Sequence, residues 1–320
     1  MNYNNVLKTS FKTAILLLVF NRVETTTKVF KKISQIRPAK LYVAGDGPRE
    51  GNDKDKDKVQ KVRDIVTRID WPCDVKTLFR EKNLGCKKSV SAAIKWFFEQ
   101  EKQGIILEDD CVPHLDFFAF CDSLLDYYAE DERVSVITGN NFQNNKWRGD
   151  ASYYFSKYNH CWGWASWRRS WKNYQGDIKF WSEWKRSKDW LNSMPDKAER
   201  KYWENIFKNV YSKKIDSWAY PWTASLWYKK GLTVTPNVNL VSNIGFGEDA
   251  THTKSENNKY FNMITGGIGN LTHPKKVSRD IEADMYVFNN FFGGKNMRFP
   301  ENWIVILRRI VNYVLKNIKN

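Results

Sequence analysis

The chain of 320 residues carries five cysteines, Cys73, Cys86, Cys111, Cys121 and Cys161. They are scattered and odd in number, and without a CxxC pair they indicate neither a disulfide framework nor a zinc site. They read as reduced, mostly packed thiols in a cytosolic setting. No GxGxxG follows the first apolar segment and no GxxxxGK[ST] occurs anywhere, so neither a dinucleotide fingerprint nor a P-loop is supported. No apolar run is long enough to span a bilayer. Ala14 to Phe20 lies behind Lys8 and Lys12 but runs straight into Asn21-Arg22 with no small-residue cleavage site, which predicts a first buried strand instead of a signal peptide. Acid is also in short supply: 36 Asp and Glu against 52 Lys and Arg leave a formal charge of +16. Such an excess points to an anionic partner, whether nucleic acid, a phosphate-rich ligand or a membrane surface.

What is present is an ordinary globular composition, 42% apolar, with fifteen Trp and fifteen Tyr. Aromatic rings with a polar edge fill core and also serve as platforms for sugars or bases. The first half alternates strand and helix. Thr13 to Phe20 predicts a strand, and Glu24 to Ile36 a helix that ends before Pro38. Lys40 to Ala44 is a second strand, closed by Gly45-Asp46-Gly47-Pro48. Asp53 to Lys58 alternates acid and lysine as a solvated helix start, and Val59, Val62, Ile65, Val66 and Ile69 continue at helical spacing. Val75 to Phe79, Ser89 to Glu101 and Ile105 to Leu107 complete a β-α-β-α-β-α-β order, which predicts an α/β fold with a mostly parallel central sheet flanked by helices.

The chain is organised around Gly104-Ile105-Ile106-Leu107-Glu108-Asp109-Asp110-Cys111. A buried strand here ends in three consecutive carboxylates, and in open α/β sheets the carboxyl ends of strands form the mouth of the site. Like charges packed so closely call for a cation. Carboxylate oxygens are hard ligands suited to Mg²⁺ or Mn²⁺, ions typically shared with substrate phosphates. Taken alone, the triplet also reads as a solvated acidic turn.

Further residues carry a resemblance. Ile15 to Arg22, then Tyr42-Val43-Ala44-Gly45-Asp46-Gly47, then Leu107-Glu108-Asp109-Asp110 followed by Phe117-Phe118 resemble the GT-A nucleotide-diphospho-sugar transferases. Within that fold the chain is similar to the N-acetylglucosaminyltransferase that initiates complex N-glycans and to its bacterial relatives. The likeness spans roughly Thr13 to Gly247. It implies a metal-dependent, inverting glycosyltransferase that uses a UDP-sugar, with UDP-GlcNAc as a candidate donor and a glycan or lipid-linked acceptor of surface polysaccharide synthesis. Asp110 matches the metal ligand; Glu108 and Asp109 match positions facing ribose and base. Arg22 matches an arginine set against the diphosphate, a role suited to a planar guanidinium. Asp46 matches an aspartate that reads uracil, although beside glycine it is also an ordinary turn residue. Lys87 and Lys88 open a helix where they could meet phosphate or simply be solvated.

In the second half, His160-Cys161-Trp162-Gly163 resembles the segment over the donor sugar, with Trp162 and Gly163 as ligand neighbours. Trp164, Trp167 and Trp171 follow at helical spacing and are expected to be core. Lys179 to Asn192 reads as a surface helix or loop. Ile215-Asp216-Ser217-Trp218 matches the motif that carries the catalytic base, with Asp216 placed to take the acceptor's proton; the competing reading is a helix cap. His252 matches a position near phosphate or metal, with a surface histidine as the alternative. Glu248 to Gly269 reads as a loop or lid. The expected layout is a catalytic domain over residues 1–300, with a donor half at about 13–125 and an acceptor half at about 126–300, then a basic amphipathic helix at 301–320. That helix sets apolar residues against Arg308, Arg309, Lys316 and Lys319, as suits the inner face of an anionic membrane; docking on the domain or a partner subunit is the alternative. A non-catalytic glycan or nucleic-acid binding protein remains a second reading. Dispersed bases and an acidic strand end argue against nucleic acid.

Overall fold

The computed structural model describes residues 11–245, 260–298 and Trp303. The first half runs β1 (Ile15–Val19), α1 (Val23–Ile36), β2 (Lys40–Gly45), α2 (Asp53–Thr67), β3 (Asp74–Phe79), α3 (Cys86–Gln100) and β4 (Gln103–Glu108), then a short β5 (Cys111–Pro113) and α4 (Leu115–Tyr127). The second half has β6 (Val134–Thr138), β7 (Tyr153–Ser156), β8 (Trp164–Trp167), α5 (Arg168–Trp171), α6 (Trp181–Trp184), α7 (Lys188–Ser193), α8 (Lys197–Tyr211), α9 (Ala219–Tyr228), β9 (Leu232–Pro236), β10 (Val241–Asn243) and α10 (Ile281–Asn290). A 3₁₀ turn at Gly294–Met297 follows.

Local chemistry explains the boundaries. Helix α1 stops at Arg37, which turns left-handed just before Pro38. Helix α2 is capped by Asn52, whose side chain accepts from the Asp55 amide; Asp196 and Asp280 do the same for α8 and α10.

Eight strands form one sheet in the order β3-β2-β1-β4-β8-β6-β9-β7. The ladders β3-β2, β2-β1 and β1-β4 are parallel, as is β6-β9, while β8 runs antiparallel to both β4 and β6, and β7 antiparallel to β9. The α/β architecture expected from the sequence, a mostly parallel central sheet flanked by helices, is the one present. Alternate residues face alternate layers. Ile15, Leu17, Val43, Ile105 and Leu107 pack with α1, α2 and α4. Leu16, Leu18, Tyr42 and Ile106 pack on the other face with Ile94 and Phe97 of α3 and with a tryptophan cluster from the second half.

Three local expectations are corrected. Trp164 to Trp167 is a strand and not the start of a helix; only Arg168–Trp171 turns helical. The helical spacing of these tryptophans is overridden because β4 and β6 each leave an edge that this segment fills. All three rings are core, as expected. Lys179 to Asn192 is not one surface helix or loop: it forms the two short helices α6 and α7, and it exposes Lys179, Glu183, Lys185 and Arg186 but buries Trp181, Trp184 and Trp190, with the Trp181 and Trp190 rings edge to face at 5.0 Å. The start of α2 is not wholly solvated either, since Asp55 is buried and paired. Of the expected terminal helix only Trp303 lies among the described residues; the rest, like residues 248–259 of the expected lid, lies outside them.

Candidate functional site

Strand β4 hands Glu108 to the carboxyl edge of the sheet, opposite Leu18 of β1. The chain turns through Asp109 and Asp110 and starts β5, which pairs antiparallel with β10 so that Asn243 faces Cys111. Asp110 is thereby fixed from several sides. Its carbonyl accepts the Ile244 amide at 2.9 Å, and its Oδ1 lies 3.3 Å from the Cys111 Sγ and 3.4 Å from the Asn243 Nδ2. Arg22, leaving the end of β1, donates from Nη1 to Asp110 Oδ2 at 2.7 Å and from Nη2 to Asp109 Oδ1. Asp109 Oδ2 also accepts the Phe20 amide at 3.2 Å.

Glu108 has no side-chain hydrogen bond among the described residues. Three acids thus share one guanidinium. Burial works against the charge on Arg22, yet the adjacent Asp109 and Asp110 more than offset it and hold its pKa above the usual arginine value. Burial, and then the Asp110 charge, raise Glu108 well above the ordinary carboxylate range; burial raises Asp109 against the pull of Arg22. Among the described residues the cluster is short of positive charge.

Two glycines make room for this arrangement. A Cβ on Gly245 would lie 1.9 Å from Asp110 Oδ2 and 2.6 Å from Arg22 Nη1, so any side chain there breaks into the ion pair. Gly163 takes φ +73° and is buried, with a Cβ meeting Val241 at 2.8 Å and Leu107 at 3.3 Å. Its visible task is to let the 160s loop close on the strand end.

Asp46 is likewise occupied: its oxygens accept the amides of Gly47, Leu84 and Gly85 at 3.0–3.1 Å. It ties the end of β2 to the loop that opens α3. At the start of that helix, burial and then the charges of Glu108 and Asp216 push the Cys86 thiol up to about 12, with Arg22 and Asp46 adding smaller effects. The charges that act on this thiol belong to Glu108, Asp216, Arg22 and Asp46. Asp216 is exposed and caps nothing: Trp218 holds the N-cap position of α9, and the Ser217 hydroxyl accepts the Ala219 amide. Lys88 is exposed on the third residue of α3. His252 lies outside the described residues.

Sequence reasoning passed over the asparagines that build the floor. Asn140 accepts the Trp162 amide at 3.1 Å and donates to the Val241 carbonyl; Asn141 donates to Pro236 at 2.7 Å and its amide is accepted by Asn239. The clusters Gly139-Asn140-Asn141 and Asn237-Val238-Asn239 were signals of strand-end turns, where asparagine bonds nearby backbone. Behind Asp109, Asp55 braces the ends of β1 and β2, accepting Asn21 Nδ2 at 2.8 Å and Arg49 Nε at 2.5 Å.

No protein-family model matches the chain, and no curated protein matches it. Solved structures give remote likenesses. HddC from Yersinia pseudotuberculosis shares 10% identity at a TM-score of 0.28, over 49% of this chain and 77% of that one. 4-Diphosphocytidyl-2C-methyl-D-erythritol synthase from Anaerococcus prevotii gives 8% and 0.31, over 49% and 72%. An apo UDP-glucose pyrophosphorylase gives 6% and 0.33, over 70% and 90%. Likenesses this remote carry no argument about function.

Proposed function

We propose that the chain is a metal-assisted, inverting glycosyltransferase that moves a sugar from a UDP-sugar to a hydroxyl of a glycan or lipid-linked acceptor. The observation that carries this reading is the acid-rich end of β4, where Arg22 pairs with Asp109 and Asp110 while Glu108 has no side-chain hydrogen bond among the described residues, at the carboxyl edge of the parallel strands.

The donor set suits a divalent ion. Among the described residues no group of three or more His, Cys, Asp or Glu side chains is arranged to cage a metal. Hard ions of the Mg²⁺ and Mn²⁺ type need less from the protein, taking one or two carboxylates and completing their shell with phosphate and water. Asp110 would hold the ion, with His252 as the second candidate. When bound, the ion would offset charge on the departing diphosphate.

The chain's own residues would do the rest. Arg22 would bind phosphate oxygens through its planar fork, with Lys88 as an outlying charge. Glu108 and Asp109 would accept hydrogen bonds from ribose hydroxyls or the base, Asp46 would hold the base-side loop, and the backbone at Gly163 would border the sugar. Asp216, exposed, would take the proton from the attacking acceptor hydroxyl. The basic segment 301–320 would keep the enzyme at an anionic membrane face.

The test is a thermal-shift panel of UDP, Mn²⁺ and both together, since a ligand bound only by the folded state raises the melting temperature. The pair should raise it in the wild type and leave Asp110→Asn unmoved. An equal shift in Asp110→Asn removes the reading.

A further inference from the structure

Arg22 is bonded to the very oxygens that the proposed site would use. Asp110 Oδ2 is held by Arg22 Nη1 at 2.7 Å, and Asp110 Oδ1 faces the Cys111 thiol and the Asn243 amide at 3.3 and 3.4 Å. The second arm of the guanidinium binds Asp109. The pairing is not a loose surface contact: the side chains of Arg22, Asp109 and Asp110 are 20%, 3% and 11% exposed. Gly245 leaves just enough space for it.

Resting on the donor-site reading above, we infer that Arg22 is a resident counter-cation for Asp109 and Asp110, which keeps a divalent ion off Asp110 in the nucleotide-free protein and makes metal binding depend on the nucleotide's diphosphate. The argument is one of charge. Without Arg22 three carboxylates crowd one strand end, and a hard divalent ion would be drawn to them unaided. With Arg22 in place, an ion seated on Asp110 Oδ2 would share that oxygen with a cation 2.7 Å away. A diphosphate changes the balance because it offers Arg22 other oxygens in a geometry that a planar guanidinium favours. Arg22 is thus a positioning residue for the metal as well as a phosphate ligand.

The test is Mn²⁺ binding, followed by the electron paramagnetic resonance signal of the free ion, with and without UDP. Wild-type protein should bind Mn²⁺ at least about tenfold more tightly with UDP than without, and UDP should gain from Mn²⁺ by the same factor. In Arg22→Gln, affinity for Mn²⁺ alone should rise about tenfold or more, and Mn²⁺ alone should raise the melting temperature, which it should not do in the wild type. Arg22→Lys keeps the charge but cannot span both carboxylates, so its affinity for Mn²⁺ alone should stay within about threefold of wild type. Unchanged or weaker Mn²⁺ binding by a folded Arg22→Gln overturns the inference. So does wild-type protein that binds Mn²⁺ equally well with and without UDP; the glycosyltransferase reading then still stands. If the wild type binds no Mn²⁺ in either condition, that reading falls and takes this inference with it. Should Arg22→Gln not fold, the wild-type pair of titrations decides.

Discussion

Two ionic clusters lie in the molecule at comparable depth, and they are built on opposite terms. At the edge of β4, three acids share one arginine and Glu108 is left without a partner among the described residues. In the second half, Lys157 lies 2.8 Å from Glu199 between the Tyr158 and Trp227 rings, and Arg279 lies 2.5 Å from Asp284, which also accepts from Ser156. Here two cations meet two anions, and Tyr158 adds a further bond to Glu199. Burial pulls the Lys157 pKa down, with Glu199 pulling it back, and burial raises Asp284 against Arg279. A balanced network of this kind ties β7, α8 and α10 together as scaffold. Among the described residues the unbalanced one carries a charge deficit, the feature on which the proposed site rests.

That contrast can be broken or sharpened by substitution. The largest effect is expected at Asp216, the proposed base: Asp216→Asn should lower turnover by roughly two to four orders of magnitude, with UDP binding and melting temperature unchanged. A variant that keeps its turnover but loses donor affinity would assign Asp216 another task. Next comes the scaffold. Lys157→Met should cost about 3–5 kcal/mol in urea unfolding because it strands Glu199, whereas the double change Lys157→Met with Glu199→Gln should recover most of that loss. If the single and double variants are equally unstable, the network is not balanced as described.

The site edge should respond in the opposite sense. Glu108→Gln removes one of three crowded acids and should stabilise the nucleotide-free protein by about 1 kcal/mol; a drop in stability would show that the Glu108 carboxylate has a stabilising partner. The smallest effect concerns Asp55, whose carboxyl is held at about 2, first by the hydrogen bond from Arg49. A depressed native pKa contributes stability above the unfolded value near 4 that is lost as pH falls toward 2. Arg49 is half exposed, so the contribution is only about 1–2 kcal/mol. Asp55→Asn should flatten the acid limb between pH 4 and 2, and an unchanged limb would count against the Arg49 pair.

Much of the first half was legible because its signals are local. Apolar runs of strand length and a proline after α1 act within a few residues, and three carboxylates after β4 mark a strand end wherever the rest of the chain goes. The Asp216 motif was legible as a pattern, but its freedom from any capping role was not.

The amino-acid sequence by itself determined the alternating layers, the apolar strands and the acid triplet, since each rests on neighbouring side chains and backbone preference. Tertiary structure alone decided that Trp164–Trp167 becomes a strand, because the open edges of β4 and β6 outweigh helical spacing. It alone put Asn243, 133 residues away, against Asp110, and set Arg22 across both aspartates, 87 and 88 residues away. It also turned Asp46 inward onto the Leu84 and Gly85 amides and Asp55 onto Arg49. These partners meet only when the sheet brings distant loops to one edge, and the charge balance that separates site from scaffold is a property of that meeting.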